Sequence, residues 1–218
     1  MSRARLSSLS FLAVAVSLLA LLSTPGLTPC ARAQGDWAIT FASGLAKPEG
    51  GAFGAHWKRG VPLILAMAGQ KSPHVEFGGE FGYVKMKPST DSTLIPGVRG
   101  GTTDWEMWRI RFRMRRFFAS PDAKIAPFLI AGIGIYPISA QSEDTTGTLK
   151  VTQTGNGVSI GAGADLRAGD NVAFGVEGQY HYIRTNQDVL GYKAAPMVEV
   201  LFAIRWIPGG GPPSGPGG

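Results

Sequence analysis

Trp108-Arg109-Ile110-Arg111-Phe112-Arg113-Met114-Arg115 decides the architecture of this chain. Four arginines alternate with four large apolar residues. A helix would scatter the arginines around its whole circumference, whereas a strand sends successive side chains to opposite faces and collects all four on one side. The same period of two recurs to either side. Trp37, Ile39 and Phe41 interleave with Ala38, Thr40 and Ala42, and Val75, Phe77, Phe81 and Tyr83 with Glu76, Gly78, Glu80 and Gly82. Further on, Val158, Ile160, Ala162, Ala164 and Leu166 oppose Ser159, Gly161, Gly163, Asp165 and Arg167. Val172, Phe174, Val176, Tyr180 and Tyr182 oppose Ala173, Gly175, Glu177, Gln179 and His181. The last such segment sets Val198, Val200, Phe202, Ile204 and Trp206 against Met197, Glu199, Leu201, Ala203 and Arg205. With the apolar stretches 61–69 and 124–138, eight strands are expected, at about 36–44, 60–70, 74–86, 103–118, 124–140, 150–168, 171–185 and 194–207.

The connections sort by length. Gln70-Lys71-Ser72-Pro73, Ala119-Ser120-Pro121-Asp122-Ala123 and Gly169-Asp170 are short and rich in turn residues. Segments 45–59, 87–102, 141–149 and 186–193 are expected to be longer loops. Alternation of short and long connections suits a barrel that crosses a bilayer, with tight turns on one side and loops on the other. No apolar run after residue 34 reaches the length of a membrane-spanning helix.

The chain begins differently. Arg3 and Arg5 precede an apolar run, Leu9 to Leu22, and Ala31-Arg32-Ala33 offers a small-x-small cleavage site, the three parts of a secretory signal peptide. Residues 1–33 are therefore expected to be removed and Gln34 to start the mature chain. Cleavage before Cys30 as a lipoprotein is the rival, with Pro29 standing where a small residue is needed. Loss of Arg3, Arg5 and Arg32 lowers the net charge from +6 to +3, which removes the main support for nucleic-acid binding. Cys30 is the only cysteine, so a chain starting at Gln34 has neither disulfide nor thiol chemistry. Charged residues are only 17% and glycine is 31 of 218, an unusual balance for a soluble enzyme. Residues 208–218 are a Gly/Pro-rich tail expected to lack structure.

Between residues 35 and 207 the chain resembles the eight-stranded bacterial outer-membrane barrels, the family that includes the transmembrane domain of outer membrane protein A. The segment from Gly161-Ala162-Gly163-Ala164-Asp165-Leu166-Arg167 through Ala168-Gly169-Asp170-Asn171 to Val172-Ala173-Phe174-Gly175-Val176-Glu177-Gly178-Gln179-Tyr180 looks like that family's sixth strand, tight turn and seventh strand. The resemblance implies an all-β, eight-stranded antiparallel up-and-down transmembrane β-barrel over residues 34–207, in the outer membrane of a Gram-negative bacterium. It also implies a monomer in contact with outer-membrane lipid and with the barrel assembly machinery. Glu199, Ile204 and Trp206 look like the family's C-terminal assembly signal. Leu201 stands where a glycine is usual, and twelve residues follow Trp206.

Such a barrel needs an apolar wall and allows a polar lumen, so Arg109, Arg111, Arg113 and Arg115 are expected to point inward. Each would cost about 2–4 kcal/mol facing mid-bilayer hydrocarbon. Eight strands leave room only for side chains, so the arginines require partners. Glu76, Glu80, Asp165, Glu177 and Glu199 are the candidates, with Glu80 near Arg111 or Arg113 and Glu177 at the same level. A solvated face of a soluble sheet is the alternative. The glycines on these strands are read as room for the long arginines. Trp37, Tyr83, Trp105 or Trp108, Phe117, Phe118, Tyr180, Tyr182 and Trp206 fall near strand ends and suit an interfacial aromatic belt.

Catalytic constellations are scarce. His56, His74 and His181 are the only histidines, and His181 with a serine such as Ser139 is the sole pairing that could imitate a lipid-modifying barrel enzyme. Glu76 and Glu80 are read as arginine partners rather than an acid/base pair. No catalytic residue, metal site or cofactor is assigned. The expected function is a non-enzymatic barrel with a plugged, ion-paired lumen, acting as a structural or surface-interaction protein through four extracellular loops. A narrow porin-like pore or small-molecule transporter is the second reading, and a lipid-modifying enzyme the third.

Overall fold

The computed structural model describes residues 37–88, 102–119, 123–144, 147–169, 171–185 and 193–208. The signal segment and residues 209–218 of the tail lie outside them. Eight strands follow in chain order: β1 (Trp37–Pro48), β2 (Val61–Ser72), β3 (Val75–Met86), β4 (Thr102–Phe117), β5 (Ile125–Asp144), β6 (Gly147–Arg167), β7 (Val172–Arg184) and β8 (Met197–Trp206). Each pairs antiparallel with the next, and β8 returns to β1 in the register Phe41↔Ile204 to close the barrel. Closure leaves no free edge within the wall, the condition for spanning lipid with strands.

Alternation sets the two surfaces. Phe202 is 67% exposed on the outer wall, and Phe41, Leu63, Phe112, Ile133 and Phe174 stand out with it. Their neighbours in sequence point into the lumen. At the end with the short turns, Trp37 and Trp206 meet edge to face at 5.6 Å across the β1–β8 seam. Tyr83 and Trp108 pack at 4.6 Å toward the opposite rim. Two members of the expected aromatic belt turn the other way. Trp105 and Phe117 are buried in the lumen, because each lies on the same alternate row of β4 as the arginines.

Two connections also differ from the expectation. Residues 141–144 and 147–149 belong to strands and not to a loop. The β5–β6 ladder continues to Asp144↔Gly147, which gives these strands 20 and 21 residues, about ten more than a tilted crossing strand needs. Above the bilayer both faces of a hairpin meet water, so no apolar row marks it, and the threonine-rich sequence supplies β propensity without periodicity. The first connection is partly ordered as well, with β1 running to Pro48 and a short helix, α1 (Gly51–His56), behind it. Gly50 and Gly51 have φ of 68° and 50°, a left-handed turn that glycine makes without strain and that aims α1 over the lumen.

Candidate functional site: the lumenal charge network

The side chains that point into the lumen form two layers. On the side of the long connections the layer is apolar. Phe53 of α1 and Trp57 pack on Trp105, with ring centroids at 5.3 and 6.1 Å, and Met86, Met107, Tyr136, Ile138 and Met197 complete the cluster from the wall. The charged residues lie below it.

Glu80 occupies the centre of that lower layer. It stands opposite Arg111 in the β3–β4 ladder and accepts a forked pair of hydrogen bonds from Arg111 Nε and Nη2 at 2.7 and 2.6 Å. Arg109 Nε approaches the same carboxylate at 2.8 Å and Arg113 Nη1 at 3.3 Å, so one acid faces three cations. Arg109 Nη1 also donates to Glu199 at 2.7 Å, and Arg111 Nη1 donates to Ser159 Oγ at 2.6 Å. Nearer the short turns, Arg115 Nη2 donates to Glu177 at 3.0 Å, and Nη1 of the same guanidinium lies 3.7 Å from Asp165. Glu177 therefore works one step below Glu80, not at its level.

Arg205 of β8 completes this lower tier, donating to Asp165 at 3.1 Å and to Glu76. It was absent from the expected set, which held four arginines against five carboxylates. With Arg205 the described lumen carries five of each. The signal was present: Arg205 shares the alternate row of β8 with Glu199, and an unbalanced charge in a dry interior demands a counter-ion. The guanidinium planes of Arg115 and Arg205 also lie 4.5 and 5.5 Å from the ring centroids of Phe128 and Phe117, which explains why Phe117 points inward.

Small residues make the space. A methyl group on Gly82 would stand 2.5 Å from Arg109 Nε, and one on Gly134 would stand 2.4 Å from both Arg111 Cβ and Ile110 O. At Gly134 the obstacle includes backbone and cannot swing aside. Gly134→Val is expected to destabilise the barrel by about 1–3 kcal/mol in detergent–lipid unfolding, while the same change at exposed Gly69, where nothing lies within 4 Å, is expected to cost much less.

The histidine–serine pairing does not form. His181 faces inward, with Nε2 at 3.2 Å from Glu199 and Nδ1 at 3.4 Å from the Tyr136 hydroxyl. Ser139 lies opposite Glu106 and Thr152 on the outward row of β5, the face away from His181. His56 belongs to α1 and His74 to the β2–β3 turn. Among the described residues no group of three potential ligands could hold a metal ion. In β8, Glu199 points into the lumen, whereas Ile204 and Trp206 point outward.

Residues 11–195 match the family described as outer membrane protein beta-barrel domain. The chain belongs to that family. This barrel is an outer-membrane protein, and its outer wall faces outer-membrane lipid. Neisserial surface protein A (NspA) shares its fold with a TM-score of 0.58 at 16% identity, over 79% of this chain and 99% of that one. The N-terminal β-barrel domain of Pseudomonas aeruginosa OprF is similar with a TM-score of 0.43 at 12% identity, over 79% of this chain and 98% of that chain. Yersinia pestis Ail, the attachment invasion locus protein, gives 0.41 at 13%, over 78% and 96%. No curated protein matches.

Proposed function

We propose that this outer-membrane barrel is a non-enzymatic, monomeric protein with a plugged lumen, serving as a structural or surface-interaction protein. The observation that carries this reading is the balanced lumenal network. Five arginines and five carboxylates are buried between opposite walls beneath an apolar layer. Side chains that neutralise one another at 2.6–3.3 Å favour a closed interior over a conducting one. His181 is taken up by Glu199 and Tyr136, which supports a structural role for the only lumenal histidine among the described residues. Specificity then resides in the connections at the long-loop rim and in the projecting β5–β6 strands, which take the place of the expected loop at 141–149. Glu199, Ile204 and Trp206 would present the chain to the assembly machinery.

Planar-bilayer recordings test the proposal. The wild-type barrel is expected to show no steady conductance. A stable open channel would overturn the plugged reading in favour of a narrow pore, and hydrolysis or acyl transfer on bilayer lipid by purified protein would overturn the non-enzymatic one. N-terminal sequencing of outer-membrane protein is expected to begin at Gln34; a lipid-modified Cys30 would instead show lipoprotein processing.

A further inference from the structure

The rim above β1, β2 and β3 carries charge that the lumen does not use. Lys47, Lys58, Arg59, Lys85 and Lys87 all stand there, exposed. Two are engaged: Lys47 Nζ lies 2.7 Å from Glu49, and Lys85 Nζ lies 2.7 Å from Asp104 and 3.6 Å from Glu106. Lys58, Arg59 and Lys87 have no side-chain partner among the described residues. The backbone holds them side by side, since Lys58 N donates to Lys87 O at 2.8 Å and Val61 faces Lys85 in the ladder.

Directly below them the outer wall becomes apolar. Val61, Leu63 and Leu65 continue down β2, and Phe81 and Tyr83 down β3, with Trp108 packed on Tyr83. A Tyr–Trp pair at the edge of an apolar band marks the interface between hydrocarbon and headgroups. Arg59 precedes the first residue of β2, Val61, by two positions, a reach of up to about 7 Å beyond the strand's end, which puts the cations at headgroup height. The carboxylates described at this rim are already occupied, so the trio is a local excess of positive charge beside a lipid-covered wall.

We propose that Lys58, Arg59 and Lys87 bind the phosphomonoester headgroup of a lipid whose acyl chains lie on Leu63, Leu65 and Phe81. The guanidinium fork of Arg59 suits two phosphate oxygens, and the two ammonium groups supply charge from adjacent strands. The inference rests on the outer-membrane location of the barrel and not on its plugged lumen. Barrel and lipid would thus be matched at one segment of the wall rather than around the whole girdle.

The test uses the full mature chain reconstituted in phosphatidylcholine bilayers, with spin-labelled phosphatidic acid or spin-labelled phosphatidylcholine as probe. Wild type is expected to hold phosphatidic acid about fivefold more strongly in its immobilised lipid shell, and the Lys58→Gln/Arg59→Gln/Lys87→Gln variant less than about twofold. Lys71→Gln/Lys124→Gln, at the opposite rim, is expected to keep the wild-type preference. All three proteins must retain the heat-sensitive gel shift of a folded barrel. Equal preference in wild type and the triple variant would overturn the site. Equal loss in both variants would show general electrostatics instead, and abolition by millimolar inorganic phosphate would assign the cations to a free anion rather than a lipid.

Discussion

Glu80→Ala is expected to be the most damaging single change in the lumen, lowering stability in detergent–lipid unfolding by about 3–5 kcal/mol. The size follows from the geometry. Glu80 takes both hydrogen bonds of Arg111 and contacts Arg109 and Arg113, so its loss leaves three buried guanidinium groups with Glu199 as the nearest remaining acid in their tier. Removing one member of a buried ionic set costs more than the set contributed, because the survivors keep their desolvation and lose their counter-charge. The folded band on an unboiled gel is expected to disappear at a lower temperature than for wild type. Bilayer recordings of the same variant are expected to show brief conductance, since water must enter to solvate the stranded arginines. A second substitution separates charge from packing. Among the described residues Arg113 is ion-paired with Glu80 alone, at 3.3 Å, so adding Arg113→Met removes the surplus cation and is expected to recover about 1–2 kcal/mol. If Glu80→Ala behaves as wild type in both assays, the network does not hold the lumen closed.

The sequence shows the two faces of this barrel far better than the contents of its interior. Period-two rows place the four arginines of β4 and the alternating residues quoted for β7 and β8 on their correct sides, because one mis-set residue in a membrane wall exposes an arginine to lipid or a phenylalanine to the lumen. Rows do not say which residue meets which across the barrel. Strand tilt decides that, and it pairs Arg115 rather than Arg111 with Glu177. Arg205 was legible as inward but not as a partner until the charges were counted. The apolar layer was hidden for a different reason. Phe53 and Trp57 come from a segment with no strand period, and Trp105 reads as an interfacial aromatic until its place on the arginine row is followed to the rim. The β5–β6 hairpin was hidden by solvent, which removes the alternation that reveals strands elsewhere.

Phe112→Arg tests the faces themselves and is expected to impair insertion by about 2–4 kcal/mol without opening a pore. Phe112 is 54% exposed on the outer wall, between Arg111 and Arg113, and stacks on Phe77 at 5.9 Å. A guanidinium there has no carboxylate within reach, because every acid that serves β4 lies on the other side of the wall. Its only relief is to extend toward the headgroups, which is least effective for a residue near the middle of the strand. Arg111→Phe is the mirror experiment. It takes a cation from a lumen that Glu80 has organised and leaves that carboxylate with Arg109 and Arg113, so it is expected to loosen the network while the protein still inserts. The two variants must therefore fail in opposite assays, Phe112→Arg in membrane insertion and Arg111→Phe in conductance and unfolding. Normal insertion of Phe112→Arg, with Arg111→Phe inserting better than wild type, would require the apolar row to face inward and the arginines outward, a barrel turned inside out relative to lipid.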